Sequence, residues 1–293
     1  MSFANLKKQS VNLDKLAKAI EKLNSAENPQ KEDNFWKPEV DKAGNGYAVI
    51  RFLPAPEVDG DDALPWVKVF DHGFQGPGGW YIENSLTTLN QKDPVSEYNS
   101  QLWNSGIEAN KEIARKQKRR LFYITNIYVV EDPKNPQNEG KVFLFKFGKK
   151  IFDKINEAMN PQFEDEKALN PFDLWSGANF KLKIRNVEGY RNYDKSEFET
   201  PSTLGDFEDD KLEKIWKMEY SLNEFLDPSK FKTYDELKAR LDKVLGLDGS
   251  APKPRTTVEQ AKAAPKPATQ PVDAGIAEDD DDLAYFSKLA EED

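Results

Sequence analysis

The run Lys116-Gln117-Lys118-Arg119-Arg120 holds four cations in five residues. It leads straight into Leu121-Phe122-Tyr123-Ile124-Thr125-Asn126-Ile127-Tyr128-Val129-Val130, a β-branched and aromatic stretch with the character of a strand. A second aromatic strand, Lys141 to Phe147, carries Phe145 and ends in Gly148-Lys149-Lys150. From Lys111 to Lys154 there are twelve Lys/Arg against five Asp/Glu, about +7 in a protein of net charge −10. Cations this dense repel one another unless an anion offsets them. Flat rings set among cations suit unpaired nucleotides, because bases stack on the rings while Lys and Arg track the phosphates.

Bond-breaking chemistry is less well served. Asp132 with Glu139-Gly140-Lys141 mimics the spaced carboxylates and lysine that hold Mg²⁺ in some nucleases. Pro133, Asn135, Pro136, Asn138 and Gly140 make that segment a hairpin loop, a poor platform for a rigid metal site. The chain has no cysteine, which excludes disulfides and thiolate zinc ligation and fits a reducing compartment. His72 is the only histidine and is expected to be structural.

Charge is unevenly placed along the 293 residues. Residues 272–293 carry nine acids and one lysine, about −8, so the rest of the chain is nearly balanced. A basic centre and an acidic tail in one polypeptide mark a binding protein with an interaction arm. No stretch has the length of a membrane span or the pattern of a signal peptide, so a soluble intracellular protein is expected.

The elements that position the basic window read as follows. Leu6, Leu13, Leu16, Ile20 and Leu23 share one helix face among lysines. Asn45-Gly46 predicts a hairpin, then Tyr47 to Leu53 a buried strand. Trp66 to Phe70 predicts a strand reaching His72, and Gly73, Gly76, Gly78 and Gly79 a turn before Trp80-Tyr81-Ile82. Residues 83–110 read as a polar, irregular insert. Ile151, Ile155 and Met159 mark a short helix, Phe180 to Val187 a strand, and 207–226 and 233–245 helices. Thr233 with Glu236 forms a capping box and Gly246 a C-cap. Phe143 and Phe147 are read as alternating with Phe145, one set facing the core. Leu247 to Pro271 is an Ala/Pro-rich linker. The tail beyond is disordered by composition, with Leu283, Tyr285 and Phe286 as partner anchors. The fold class is mainly β with added helices (α+β), a small barrel of the oligonucleotide-binding (OB) kind.

Specific strings carry a resemblance. Trp36-Lys37, Ala43-Gly44-Asn45-Gly46, Ala48-Val49-Ile50-Arg51-Phe52-Leu53-Pro54, His72-Gly73-Phe74, Trp80-Tyr81-Ile82-Glu83, Asn138-Glu139-Gly140-Lys141-Val142-Phe143 and Phe147-Gly148-Lys149-Lys150-Ile151 resemble the single-stranded DNA-binding (helix-destabilising) proteins of T-even-like bacteriophages. The resemblance implies a non-enzymatic protein with four parts. These are a basic cooperativity arm (1–24), a five-stranded OB-fold core with an inserted subdomain (25–246), a linker (247–271) and an acidic protein-interaction tail (272–293). It implies coating of single-stranded DNA with little sequence preference, self-association along the strand, and a place in the cytoplasm of an infected bacterial host. It also implies docking of phage replication and recombination proteins, such as polymerase, helicase loader and recombinase mediator, on Asp279, Asp280, Asp281, Asp282, Leu283, Tyr285 and Phe286.

Carried over by position, the family's cleft aromatics fall on Trp103, Tyr123, Phe145, Tyr190 and Tyr193, and a further cleft tyrosine on Ala114. The cleft cations fall on Lys118, Arg119 and Arg120, continued by Lys149 and Lys150. The arm motif falls on Lys7, Lys8 and Ser10, with Gln9 and Val11 departing from it. The family usually carries zinc on one histidine and three cysteines. Here His72 remains, but the cysteine positions fall on Ser85, Asp93 and Ser96, so no zinc or other cofactor is expected. An RNA-binding OB protein acting as a translational regulator is the alternative, since stacking clefts accept either sugar.

Overall fold

A computed structural model describes residues 34–163 and 165–247. The arm with Lys7, Lys8 and Ser10, most of the linker and the acidic tail lie outside the described residues. The chain divides after Trp36 into two compact units, and every element that follows belongs to the second.

Eight strands form one antiparallel sheet: β1 (Gly46–Phe52), β2 (Val67–Gly76), β3 (Gly79–Asn84), β4 (Arg120–Glu131), β5 (Val142–Phe147), β6 (Phe180–Val187), β7 (Tyr190–Asn192) and β8 (Glu197–Phe198). Five α-helices accompany them among the described residues: α1 (Pro94–Asn104), α2 (Glu108–Gln117), α3 (Lys149–Met159), α4 (Asp209–Trp216) and α5 (Tyr234–Leu245). The order is β3-β2-β4-β1-β6-β7, with β5 on β4 and β8 on β6.

β4 is the organising strand. It is 12 residues long, so it pairs with β2 near its start (Asp71↔Arg120, Lys68↔Tyr123) and with β1 further on (Arg51↔Tyr128). Along it also runs β5, from Tyr123↔Phe147 to Tyr128↔Val142. The result is a mixed α+β body; among the described residues no strand pairing closes the path into the expected barrel. Phe52 on β1 anchors the interior, with Phe147, Phe172 and Phe180 at ring distances of 6.0, 5.8 and 5.5 Å. Each such aromatic buries a large apolar area and prefers these tilted geometries.

The structure corrects several expectations. The turn before β1 is not centred on Asn45-Gly46. Instead the Asp41 carboxylate accepts the N–H groups of Ala43 (2.8 Å) and Asn45 (2.9 Å), and Gly44 supplies the positive φ of +84°. β2 runs through His72 and Gly73 to Gly76, so the glycine turn is confined to the β2–β3 corner. Residues 83–110 are ordered and largely helical, not an irregular insert. The Asp93 side chain accepts from Val95 and Ser96 and Pro94 opens α1, a strong start signal hidden in a polar stretch. Of the helix expected over 207–226 only α4 forms, followed by a 3₁₀ turn at Asn223–Leu226. Phe143, Phe145 and Phe147 do not alternate: spaced two apart, they share one face of β5. The capping box at Thr233 and Glu236 and the left-handed cap at Gly246 close α5 as expected.

Candidate nucleic-acid interface

The basic run sits at the junction where α2 becomes β4. α2 ends at Gln117, which is buried, and Lys118 turns the backbone into the extended region (φ −52°, ψ 142°). Lys118, Arg119 and Arg120 are half-buried, and Lys116 is exposed. β2 grips this junction. Arg120 Nε donates to Asp71 Oδ1 (2.7 Å), and Lys146 Nζ on β5 donates to Asp71 Oδ2 (3.0 Å). One carboxylate thus serves two cations. A Cβ on Gly73 would lie 2.5 Å from the Arg120 guanidinium, so a side chain there would push the end of that arginine aside.

Cations already cover rings here. Arg119 stacks over Phe70 at 4.0 Å and Lys68 approaches the same ring at 5.1 Å. Lys146 lies 3.9 Å over Phe122, with Arg120 at 5.7 Å. On the helices, Lys111 and Arg115 lie 5.3 and 5.4 Å from Trp103. Such contacts hold each cation in place against the sheet or helix that carries the ring. Phe70, Phe122, Lys68, Lys146, Lys111 and Arg115 were not singled out from sequence. The available signal was strand alternation: Phe122 stands two residues from Arg120, on the same face of β4, and Lys146 falls on the face of β5 opposite Phe145.

The named aromatics divide by burial. Tyr123 is 8% exposed and stacks on Phe152 of α3 at 3.8 Å with rings parallel within 1°. Phe145 is 3% exposed and stacks on Phe147 at 5.2 Å. Both rings are therefore part of the packed sheet face in this form. Tyr190, on the short strand β7, is 62% exposed; Tyr193 and Trp103 are half-buried. Ala114 on α2 is buried under Leu102 and Trp103.

α3 draws several of these parts together. Gly148 precedes it, no side chain caps it, and Lys149 and Lys150 open it. Phe152 meets Tyr123, and Lys154 Nζ donates to the Asp194 carbonyl (3.3 Å), tying the helix to the segment holding Tyr193. Lys149 also pairs with Asp153 (3.0 Å). By contrast, Trp103 belongs to the α1–α2 pair, and β7 lies three places from β4 in the sheet.

Two other expectations meet definite geometry. The carboxylate of Asp132 accepts from Asn135 N (3.1 Å) and Asn138 Nδ2 (3.2 Å), while Glu139 Oε1 accepts from Asp132 N (2.9 Å). These acids staple the β4–β5 loop, and Lys141 is exposed beside it.

His72, Ser85, Asp93 and Ser96 are all buried, and the other three all meet the Asp93 carboxylate, Ser96 through its backbone N–H. Asp93 Oδ1 accepts from Val95 N (3.0 Å) and Ser96 N (3.1 Å) and faces His72 Nε2 at 3.2 Å. Oδ2 accepts from Ser85 Oγ (2.9 Å) and Leu86 N (3.1 Å). With five donors on one carboxylate and neutral hydroxyls for the rest, the set does not fit zinc. Burial pushes the Asp93 carboxyl up, but the His72 hydrogen bond and charge, with Ser96 N and Ser85, outweigh it and hold it at about 2.

A family model described as "gp32 DNA binding protein like" matches residues 44–245. Over 240 residues the chain is 40% identical to a single-stranded DNA-binding protein of Enterobacteria phage T4, covering 79% of this chain and 77% of that one. Over 219 residues it is 41% identical to a protein of the same description from Enterobacteria phage T2, covering 72% and 70%. A shorter match, 39% over 92 residues, is to a single-stranded DNA-binding protein of Enterobacteria phage RB70, covering 30% of this chain and 74% of that one.

Proposed function

The chain belongs to the family of gp32-like DNA-binding proteins, and from that premise we propose that it coats single-stranded DNA without catalysing a reaction on it. The observation that carries the reading is the α2–β4 junction. There Arg119 lies over Phe70 and Arg120 pairs with Asp71, both on β2, with Lys118 just before them and Tyr123 three residues on, whose neighbour α3 opens with Lys149 and Lys150. Phosphates follow the cations, and bases stack on rings that the strand's approach uncovers, Tyr190 first because it is already exposed. Trp103, Phe145 and Tyr193 complete the proposed aromatic set. Binding only the unpaired form pulls hairpins open by mass action.

The same reading places an OB-type barrel in residues 25–246. It gives the basic arm 1–24, with Lys7, Lys8 and Ser10, the task of contacting the next copy along the strand. It gives the tail, residues 272–293, the task of docking replication, recombination and repair proteins in the infected cell. The test is competition: oligothymidine should displace a labelled oligothymidine, duplex DNA should not, and the strand should stay intact in Mg²⁺. Displacement by oligouridine at equal strength would favour an RNA role, and strand cleavage would favour a nuclease.

A further inference from the structure

Asp71, His72 and Gly73 are consecutive residues of β2; Asp71 and Gly73 meet the start of β4, and His72 meets the end of α2. Asp71 and Gly73 hold Arg120 on one face of the strand. On the other face His72 Nδ1 lies 3.2 Å from the carbonyl oxygen of Gln117, and Nε2 lies 3.2 Å from Asp93 Oδ1. A carbonyl oxygen can only accept, so in the Gln117 contact the ring nitrogen is the donor. The last carbonyls of a helix have no partner within it. Gln117 is the final residue of α2, it is buried, and His72 supplies its carbonyl with a donor.

We propose that His72 is a positioning residue for the basic run: held by Asp93, it forms a metal-free clasp that fixes Gln117, and through it Lys118, Arg119 and Arg120. The clasp joins β2, the start of α1 and the end of α2 with hydrogen bonds where the family resemblance would put a metal. Its consequence for DNA rests on the reading that the basic run meets phosphate.

The variants are His72→Phe, which keeps a ring edge-on to Phe74 and Tyr81, and Asp93→Asn, which keeps an oxygen to cap α1. Ser85→Ala is the control, since it touches Asp93 but not Gln117. Three quantities are read: melting temperature, affinity for oligothymidine, and amide hydrogen exchange at residues 118–121. Folded His72→Phe should bind about ten-fold more weakly, as for loss of a hydrogen bond to a charged group, with faster exchange at 118–121. Asp93→Asn should move the same way and Ser85→Ala should leave affinity unchanged. Added zinc or a chelator should leave the wild type's melting temperature unmoved. If His72→Phe does not fold, Asp93→Asn carries the comparison. Unchanged affinity and exchange in the folded variants would overturn the proposal, as would stoichiometric zinc whose removal lowers the melting temperature. A wild type that fails to bind oligothymidine sinks the DNA reading instead, and exchange at 118–121 then decides the clasp alone.

Discussion

Tyr190 and Phe145 lie at opposite extremes of burial, and their replacement should separate binding from folding. Tyr190→Ala should weaken binding by about 1–3 kcal/mol, the usual worth of one stacked base, and leave the melting temperature unchanged. Phe145→Ala removes a ring stacked on Phe147 inside the sheet, so it should cost about 3–5 kcal/mol of stability. Thermal melts beside fluorescence titrations distinguish the two; equal melting losses in both variants would contradict the division. Asp71 offers a complementary change. It offsets Arg120 and Lys146 together, so Asp71→Asn should strengthen binding at low salt and steepen the salt dependence by about one unit of slope. An unaltered slope would mean that neither cation reaches a phosphate. The cations were legible in the sequence because no other window is so dense. Which rings face solvent was not, because burial depends on what packs over a strand, as Phe152 of α3 does on Tyr123.

At the scale of elements, the segment after α4 is pinned to β4 by a two-way bond: Asn126 Nδ2 donates to the Tyr220 carbonyl (2.8 Å) and Tyr220 N donates to Asn126 Oδ1 (3.0 Å). Beside it Glu219 is buried with no hydrogen-bond partner on either carboxyl oxygen. Burial first, and the nearby Asp59 second, push its pKa up to about 9. A carboxyl raised in the folded state contributes fully below its ordinary value, near 4.5. That contribution is lost as pH rises toward about 9. Stability should therefore decline between about pH 4.5 and 9 in the wild type and much less in Glu219→Gln, as denaturant melts across pH would record. Parallel curves would remove Glu219 as the cause. The strands β1, β5 and β6, α3 and α5 were readable from periodicity and caps. α1 and α2 were not, because they bury little apolar surface: Pro94 and Val95 in one, Ala114 in the other. The Asp93-Pro94 start signal was present but outweighed by the polar composition around it. The break after α4 was equally hidden, since Asn126 and Asp59, which hold that segment, are distant in sequence.

For the whole molecule the governing feature is segregation of charge, about +7 in the window 111–154 and about −8 in residues 272–293. On the proposed reading, the acidic residues 272–293 compete with phosphates for the same cations. Truncation near Gln270 should therefore raise affinity most at low salt, ease hairpin melting, and abolish partner docking through Leu283, Tyr285 and Phe286. Equal affinity and salt slope in the two forms would leave the tail a docking arm only.

The central claim, that fixed cations at the α2–β4 junction and the start of α3 hold a single strand by its phosphates, is tested most directly by one titration. Tryptophan fluorescence of the tail-less chain is followed against an oligothymidine from low to high salt. With Lys118, Arg119, Lys149 and Lys150 engaged, the logarithm of affinity should fall against the logarithm of salt with a slope of about −3, roughly 0.7 per phosphate neutralised. A flat dependence, or no quenching at low salt, would contradict the account.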